Sequence, residues 1–124
     1  MGECESLYTS LAYGGRIDEK ENFYHGLILG MLNSRAGWIT KSNREAGDGR
    51  LDVVTYPKRG KNAVIFEFKY SKEEINLEKA AQEALLQIES KRYDSYFSPR
   101  KPEEIVHYGI AFHKKQCRVL MERK

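Results

Sequence analysis

Hydrophobic positions fall at two different spacings along this chain, and the changes between them mark out its elements. Over residues 22–35, Tyr24, Leu27, Ile28, Met31 and Leu32 recur three and four apart, the period of a helix with one apolar face. Asp18 and Glu21 stand before this run as a capping-box pair would. From residue 38 to residue 70 the pattern becomes that of strands. Trp38 opens one over residues 38–45, Leu51, Val53 and Val54 lie in a second, and Ala63-Val64-Ile65-Phe66 leads into a third ending at Tyr70. Gly47-Asp48-Gly49 reads as the turn between the first two, and residues 57–62 as the turn before the third. The helical period returns at Leu77, Ala81, Ala84, Leu85 and Ile88, predicting a helix over residues 77–93 whose alanines allow close packing on a sheet. Residues 105–112 and 117–121 predict two last strands. A helical crossover between Tyr70 and Ile105 favours an α/β sandwich around a mixed sheet. One domain over residues 18–124 is expected, with residues 1–17 as an N-terminal extension or the remnant of an upstream region.

A chain of 124 residues can bury one modest core. No segment has an apolar run long enough to span a bilayer, and the N-terminus has no basic region followed by an apolar one, so a soluble, cytoplasmic protein is expected. Cys4 and Cys117 are too few and too far apart for a disulfide scaffold or a cysteine zinc site. The net charge of +3 does not itself indicate a nucleic-acid partner. Its distribution is more informative, because Lys58, Arg59 and Lys61 share one loop while Lys114, Lys115 and Arg118 gather near the end. Each cluster reads equally as phosphate contacts or as solvated loop charge.

Candidate chemistry lies in the second and third strands. Side chains alternate across a strand, so Glu67 and Lys69 share one face and Phe68 takes the other. If the two strands are neighbours, Asp52 meets that pair. Carboxylates gathered beside an apolar sheet are costly unless they neutralise one another or hold a cation. Their oxygens suit Mg²⁺, with Mn²⁺ as a substitute, and the lysine suits a reacting phosphate. Glu21 reads either as a helix cap or as a further carboxylate aimed at the same centre. His25 follows one turn later, a lone histidine whose role the spacing leaves open. Gln87 either solvates a helix edge or orients a bound water and phosphate. The glycine-rich turn at residues 47–49 is no phosphate-binding loop, since it leads into a strand and lacks the required lysine and hydroxyl.

The placement of Leu51-Asp52 and Glu67-Phe68-Lys69 on two strands resembles the PD-(D/E)XK nuclease superfamily. Leu51 stands where that family commonly has proline. YHGLILGML, SNREAGDGRLDVV, IFEFKY, ALLQIESKRY and HYGIAF together resemble, more closely, the nuclease-like domain at the C-terminus of AAA-ATPase-like proteins. Archaeal Holliday-junction resolvases are a more distant likeness. The resemblance implies a restriction-endonuclease-like sandwich with a central mixed sheet flanked by helices. It also implies Asp52, Glu67, the Phe68 carbonyl and Glu21 as metal ligands, Lys69 as the catalytic lysine, and Gln87 as a further catalytic-site residue. Arg50, Lys91 and Tyr93 become expected substrate contacts.

The function so implied is a divalent-metal-dependent endonuclease acting on DNA, including branched or structured DNA, in which a homodimer would present two centres to opposed strands. The alternative is a catalytically inactive nucleic-acid-binding, regulatory or assembly module working with an upstream ATPase-like region. No ATP-binding motif lies in the chain itself.

Overall fold

The computed structural model describes residues 17–71, 76–98, 102–114 and 116–123, with side chains from residue 25 onward. The expected N-terminal extension, apart from Ile17, lies outside the described residues, as do parts of the two polar connections after Tyr70 and Ser98.

Five strands form one sheet in chain order: β1 (Trp38–Ala46), β2 (Gly49–Pro57), β3 (Asn62–Tyr70), β4 (Glu104–His113) and β5 (Gln116–Arg123). The first three run antiparallel, β3 and β4 are parallel, and β5 returns antiparallel to β4. Helix α1 (Ile17–Asn33) precedes the sheet, and α2 (Leu77–Ser90) makes the crossover that a parallel neighbour requires. The mixed sheet with one helix on each face is the α/β arrangement that the hydrophobic pattern predicts.

Alternation along β3 divides the core in two. Ala63 and Ile65 pack with Leu85 and Ile88 of α2, while Phe66 and Phe68 pack with Leu27, Ile28, Leu29 and Leu32 of α1. Ala81 and Ala84 are fully buried against β4, where a side-chain carbon added to Gly109 would lie 2.3 Å from the Ala81 carbonyl oxygen. This close approach is what the small residues of α2 make possible. Asn76 caps α2, its side-chain oxygen accepting from the Lys79 amide at 3.1 Å.

Three local expectations need correction. The backbone of Asp18 lies inside α1, one residue past its start, and not before it. Met31 is half exposed, because the row of α1 that meets the sheet runs through Ile28, Leu29 and Leu32. Helix α2 stops at Ser90, since Arg92 takes a left-handed conformation and a short 3₁₀ turn, Tyr93–Phe97, follows. That turn buries Tyr93 and Phe97 in the core on the α2 side.

Candidate active site

Asp52 occupies a gap in the sheet. On the β1 side, Ser42 pairs with Val53 and Arg44 with Leu51, but Asn43 and Asp52 between them do not pair. Asn43 has φ near 51°, a left-handed kink that asparagine tolerates better than most residues. On the other side, β2 pairs with β3 at Val53–Phe66, Val54–Ile65 and Thr55–Val64 and then parts from it. Continued by one rung, that register would set Asp52 opposite Glu67. Instead, the Phe68 amide donates to Asp52 Oδ2 at 2.8 Å. A residue's N–H and C=O point the same way in a strand, so the Phe68 carbonyl faces this gap too.

The gap opens into a cavity of about 340 Å³ bordered by Asp52, Glu67, Phe68, Ser42, Asn43 and His25, among others. Glu67 is only 3% exposed, and its Oε1 has no hydrogen-bond partner. Burial pushes its carboxyl up to about 9, with the Asp52 charge adding to the rise and the Lys69 charge opposing it. Glu67 is therefore protonated near neutrality unless a cation takes the proton's place. Two adjacent carboxyls, one with an unmade bond, and a backbone carbonyl form a donor set of hard oxygens that fits Mg²⁺ or Mn²⁺. Among the described residues no three His, Cys, Asp or Glu side chains gather closely enough to hold an ion by themselves. The backbone of Glu21 lies in α1, but its side chain is outside the described residues.

Lys69 shares the Glu67 face, as alternation requires, yet its ammonium does not border the cavity. It donates to Gln87 Oε1 at 2.6 Å, and Gln87 Nε2 donates to Tyr93 Oη at 3.1 Å. A glutamine can do this because its amide offers an acceptor to one neighbour and a donor to the other. Burial raises the Tyr93 hydroxyl above its ordinary range; hydrogen bonds from Gln87 and the Arg50 backbone oppose this, and the Glu67 and Asp52 charges add to it. The relay thus ends within electrostatic reach of the carboxyl pair.

The β1–β2 turn holds the far end of the relay. The Asp48 amide donates to the Lys91 carbonyl at 2.8 Å, and Asp48 takes two hydrogen bonds from the Arg92 guanidinium. Gly47 sits at φ near 53°, where an added side-chain carbon would be 2.2 Å from the Lys91 oxygen. The glycine-rich turn is therefore a docking surface for the segment that carries Tyr93. Arg50 and Lys91 are both exposed, and the Arg50 Nε donates to the Asn43 carbonyl across the kink at 2.8 Å.

The structure thus brings Asp52, Glu67 and Phe68 together directly, and links Lys69, Gln87 and Tyr93 in a chain beside them. It adds Asn43, whose kink frees Asp52. Asparagine next to serine near the more polar end of the strand was the available signal. His25 joins the same cavity, although a single histidine on a helix gave little indication of it.

No curated protein and no solved structure matches this chain. The profile of the PD-(D/E)XK nuclease superfamily matches residues 19–122, which takes in most of α1, the first four strands, all but the last residue of β5 and both halves of the acidic site. With that span matched and Asp52 joined to the Glu67-Phe68-Lys69 strand at a gap in the sheet, the chain belongs to the PD-(D/E)XK nuclease superfamily.

Proposed function

We propose that this protein is a divalent-metal-dependent endonuclease that hydrolyses DNA phosphodiester bonds, with branched or structured DNA as its substrate class. One observation carries the reading: Glu67 is buried beside Asp52 with an oxygen left unbonded, at the border of a cavity that Asp52 also lines. A carboxyl in that position is expensive to retain for structure alone.

Asp52, Glu67 and the Phe68 carbonyl would hold Mg²⁺, with Glu21 as a further candidate. When bound, the ion supplies positive charge to a phosphate oxygen and lowers the pKa of a water. The protein's own groups do the rest. The Phe68 amide fixes the Asp52 carboxylate, so that charge is aimed before substrate arrives. Gln87 holds the Lys69 ammonium just outside the cavity, where its charge acts on Glu67, and from there it would stabilise charge gathering on the phosphate during attack. Tyr93 fixes Gln87 in turn. Arg50 and Lys91, both exposed, are suited to more distant phosphates of the strand.

The test is cleavage of duplex, single-stranded and four-way DNA, with Mg²⁺ and with EDTA, by wild type and Lys69→Ala. Cutting that needs the ion and falls about a thousandfold or more in the variant is expected. Equal behaviour of the two proteins would reject the catalytic assignment. Sedimentation of the protein on a four-way junction tests whether a homodimer is the cutting unit.

A further inference from the structure

Three buried side-chain polar atoms lack a partner among the described residues: Glu67 Oε1, His107 Nδ1 and His25 Nε2. The two at residues 67 and 25 belong to residues that border one cavity, and they reach it from different elements, β3 and α1. His107 is elsewhere, with its other ring nitrogen 2.6 Å from Asp94. The His25 ring is set edge-on to Phe68, with centroids 5.6 Å apart and planes at 68°. It is therefore packed against the residue whose amide fixes Asp52.

The next residue adds to the picture. Gly26 borders the same cavity, and a side-chain carbon placed on it would meet nothing within 4 Å. Glycine disfavours a helix, and among the described residues no neighbouring atom demands it. Among the described residues nothing covers the helix surface beside His25, and that surface faces the cavity.

Direct ligation of an ion by His25 together with both carboxyls does not fit, since no such three-residue group forms among the described residues. The cavity is large enough for a phosphodiester to lie between them. Phosphate oxygens accept hydrogen bonds and do not donate them, so the complementary imidazole is the tautomer with its hydrogen on Nε2. We propose that His25 is a catalytic residue that contacts the substrate: its Nε2–H donates to a non-bridging oxygen of the phosphate that Asp52 and Glu67 face, and Gly26 gives that strand its path along α1. This rests on the nuclease reading above, and it extends that reading from the acidic strands to the part of the cavity wall that α1 supplies.

Two variants separate the possibilities. His25→Leu keeps the bulk without the donor, and His25→Gln returns an amide N–H near the Nε2 position. Each is first checked for wild-type circular dichroism and melting. Single-turnover cleavage with Mn²⁺ should fall about a hundredfold in His25→Leu and recover at least about tenfold of that in His25→Gln. Mn²⁺ affinity, measured by calorimetry without DNA, should stay at the wild-type value in both. In wild type with Mg²⁺, adding thymidine 5′-monophosphate should move the His25 imidazole ¹⁵N resonance, which the variants assign among the chain's three histidines.

A loss of Mn²⁺ affinity of about tenfold or more in His25→Leu, the size expected for a group that holds a metal ligand in place, would overturn the proposal. So would wild-type cleavage by His25→Leu, or an unmoved resonance at saturating nucleotide. If wild type and Lys69→Ala alike fail to cut any DNA, it is the nuclease reading that falls. The nucleotide titration then still decides the role of His25, because it needs binding and no turnover.

Discussion

The Phe68 amide donates to Asp52 Oδ2 at 2.8 Å, across the point where β2 leaves β3. One bond thus replaces a missing rung of the sheet and aims a carboxylate. Asp52→Ala removes both services, leaving a part-buried amide unpaired at a cost of about 1–3 kcal/mol. Asp52→Asn keeps an acceptor oxygen and loses the charge. Urea denaturation should therefore show Asp52→Ala destabilised and Asp52→Asn close to wild type, while calorimetry shows Mn²⁺ binding lost in both.

Glu67 predicts an unusual pH dependence. Its folded carboxyl is raised to about 9, far above the ordinary carboxylate range in the unfolded chain. Between those limits the folded protein holds a proton that the unfolded chain has released. Without a divalent ion, stability should fall as pH rises from about 5 towards 9, by up to roughly 1.4 kcal/mol per pH unit from this group. Glu67→Gln, which cannot ionise, should flatten that slope in melting curves taken across the range. Mn²⁺ must displace the same proton, so its affinity should climb with pH by up to about tenfold per unit below 9.

The Lys69–Gln87–Tyr93 relay separates positioning from binding. Gln87→Ala frees the Lys69 ammonium without removing it, so kcat should drop about 10- to 100-fold while KM for DNA changes little. Tyr93→Phe should lose less activity, together with about 1 kcal/mol of stability from the unpaired Gln87 amide. Steady-state kinetics on one DNA substrate, run beside thermal melts, checks both. A rise in KM with kcat unchanged would place Gln87 on the substrate and not on the lysine.

The docked turn gives a contrast between a backbone effect and a charge effect. Gly47→Ala strains a left-handed backbone, at about 1–3 kcal/mol, and also drives a carbon into the Lys91 carbonyl. The Asp48–Arg92 pair is exposed and screened by solvent. Gly47→Ala should therefore lower the melting temperature by several degrees and reduce cleavage through Tyr93, whereas Asp48→Ala should do little to either.

Much of this was legible in the sequence, for reasons that differ from element to element. The strand periods at Leu51–Val54 and Ala63–Phe66 gave the sheet, and the alanines of α2 gave its close packing. Alternation alone put Glu67 and Lys69 on one face. What it could not reveal was the break at Asp52, because that depends on a backbone kink at Asn43 in a different strand. The helix boundary near Tyr93 was missed for a similar reason. Residues 90–93 continue a helical pattern locally, but Arg92 is held in a left-handed turn with its side chain paired to Asp48, more than forty positions away. His25 is the same case again, since a cavity wall is a property of the assembled layers and of no single helix.

The unequal pairing of β3 bears on when the acidic centre can assemble. That strand shares nine register pairs with β4 and only three with β2. During translation, Glu67 and Lys69 leave the ribosome well before residues 104–113, the partner that aligns them along their whole length. A chain made only as far as residue 70 thus carries Asp52, Glu67 and Lys69 with no β4 to align them, and the acidic centre takes shape only once residues 104–113 have followed.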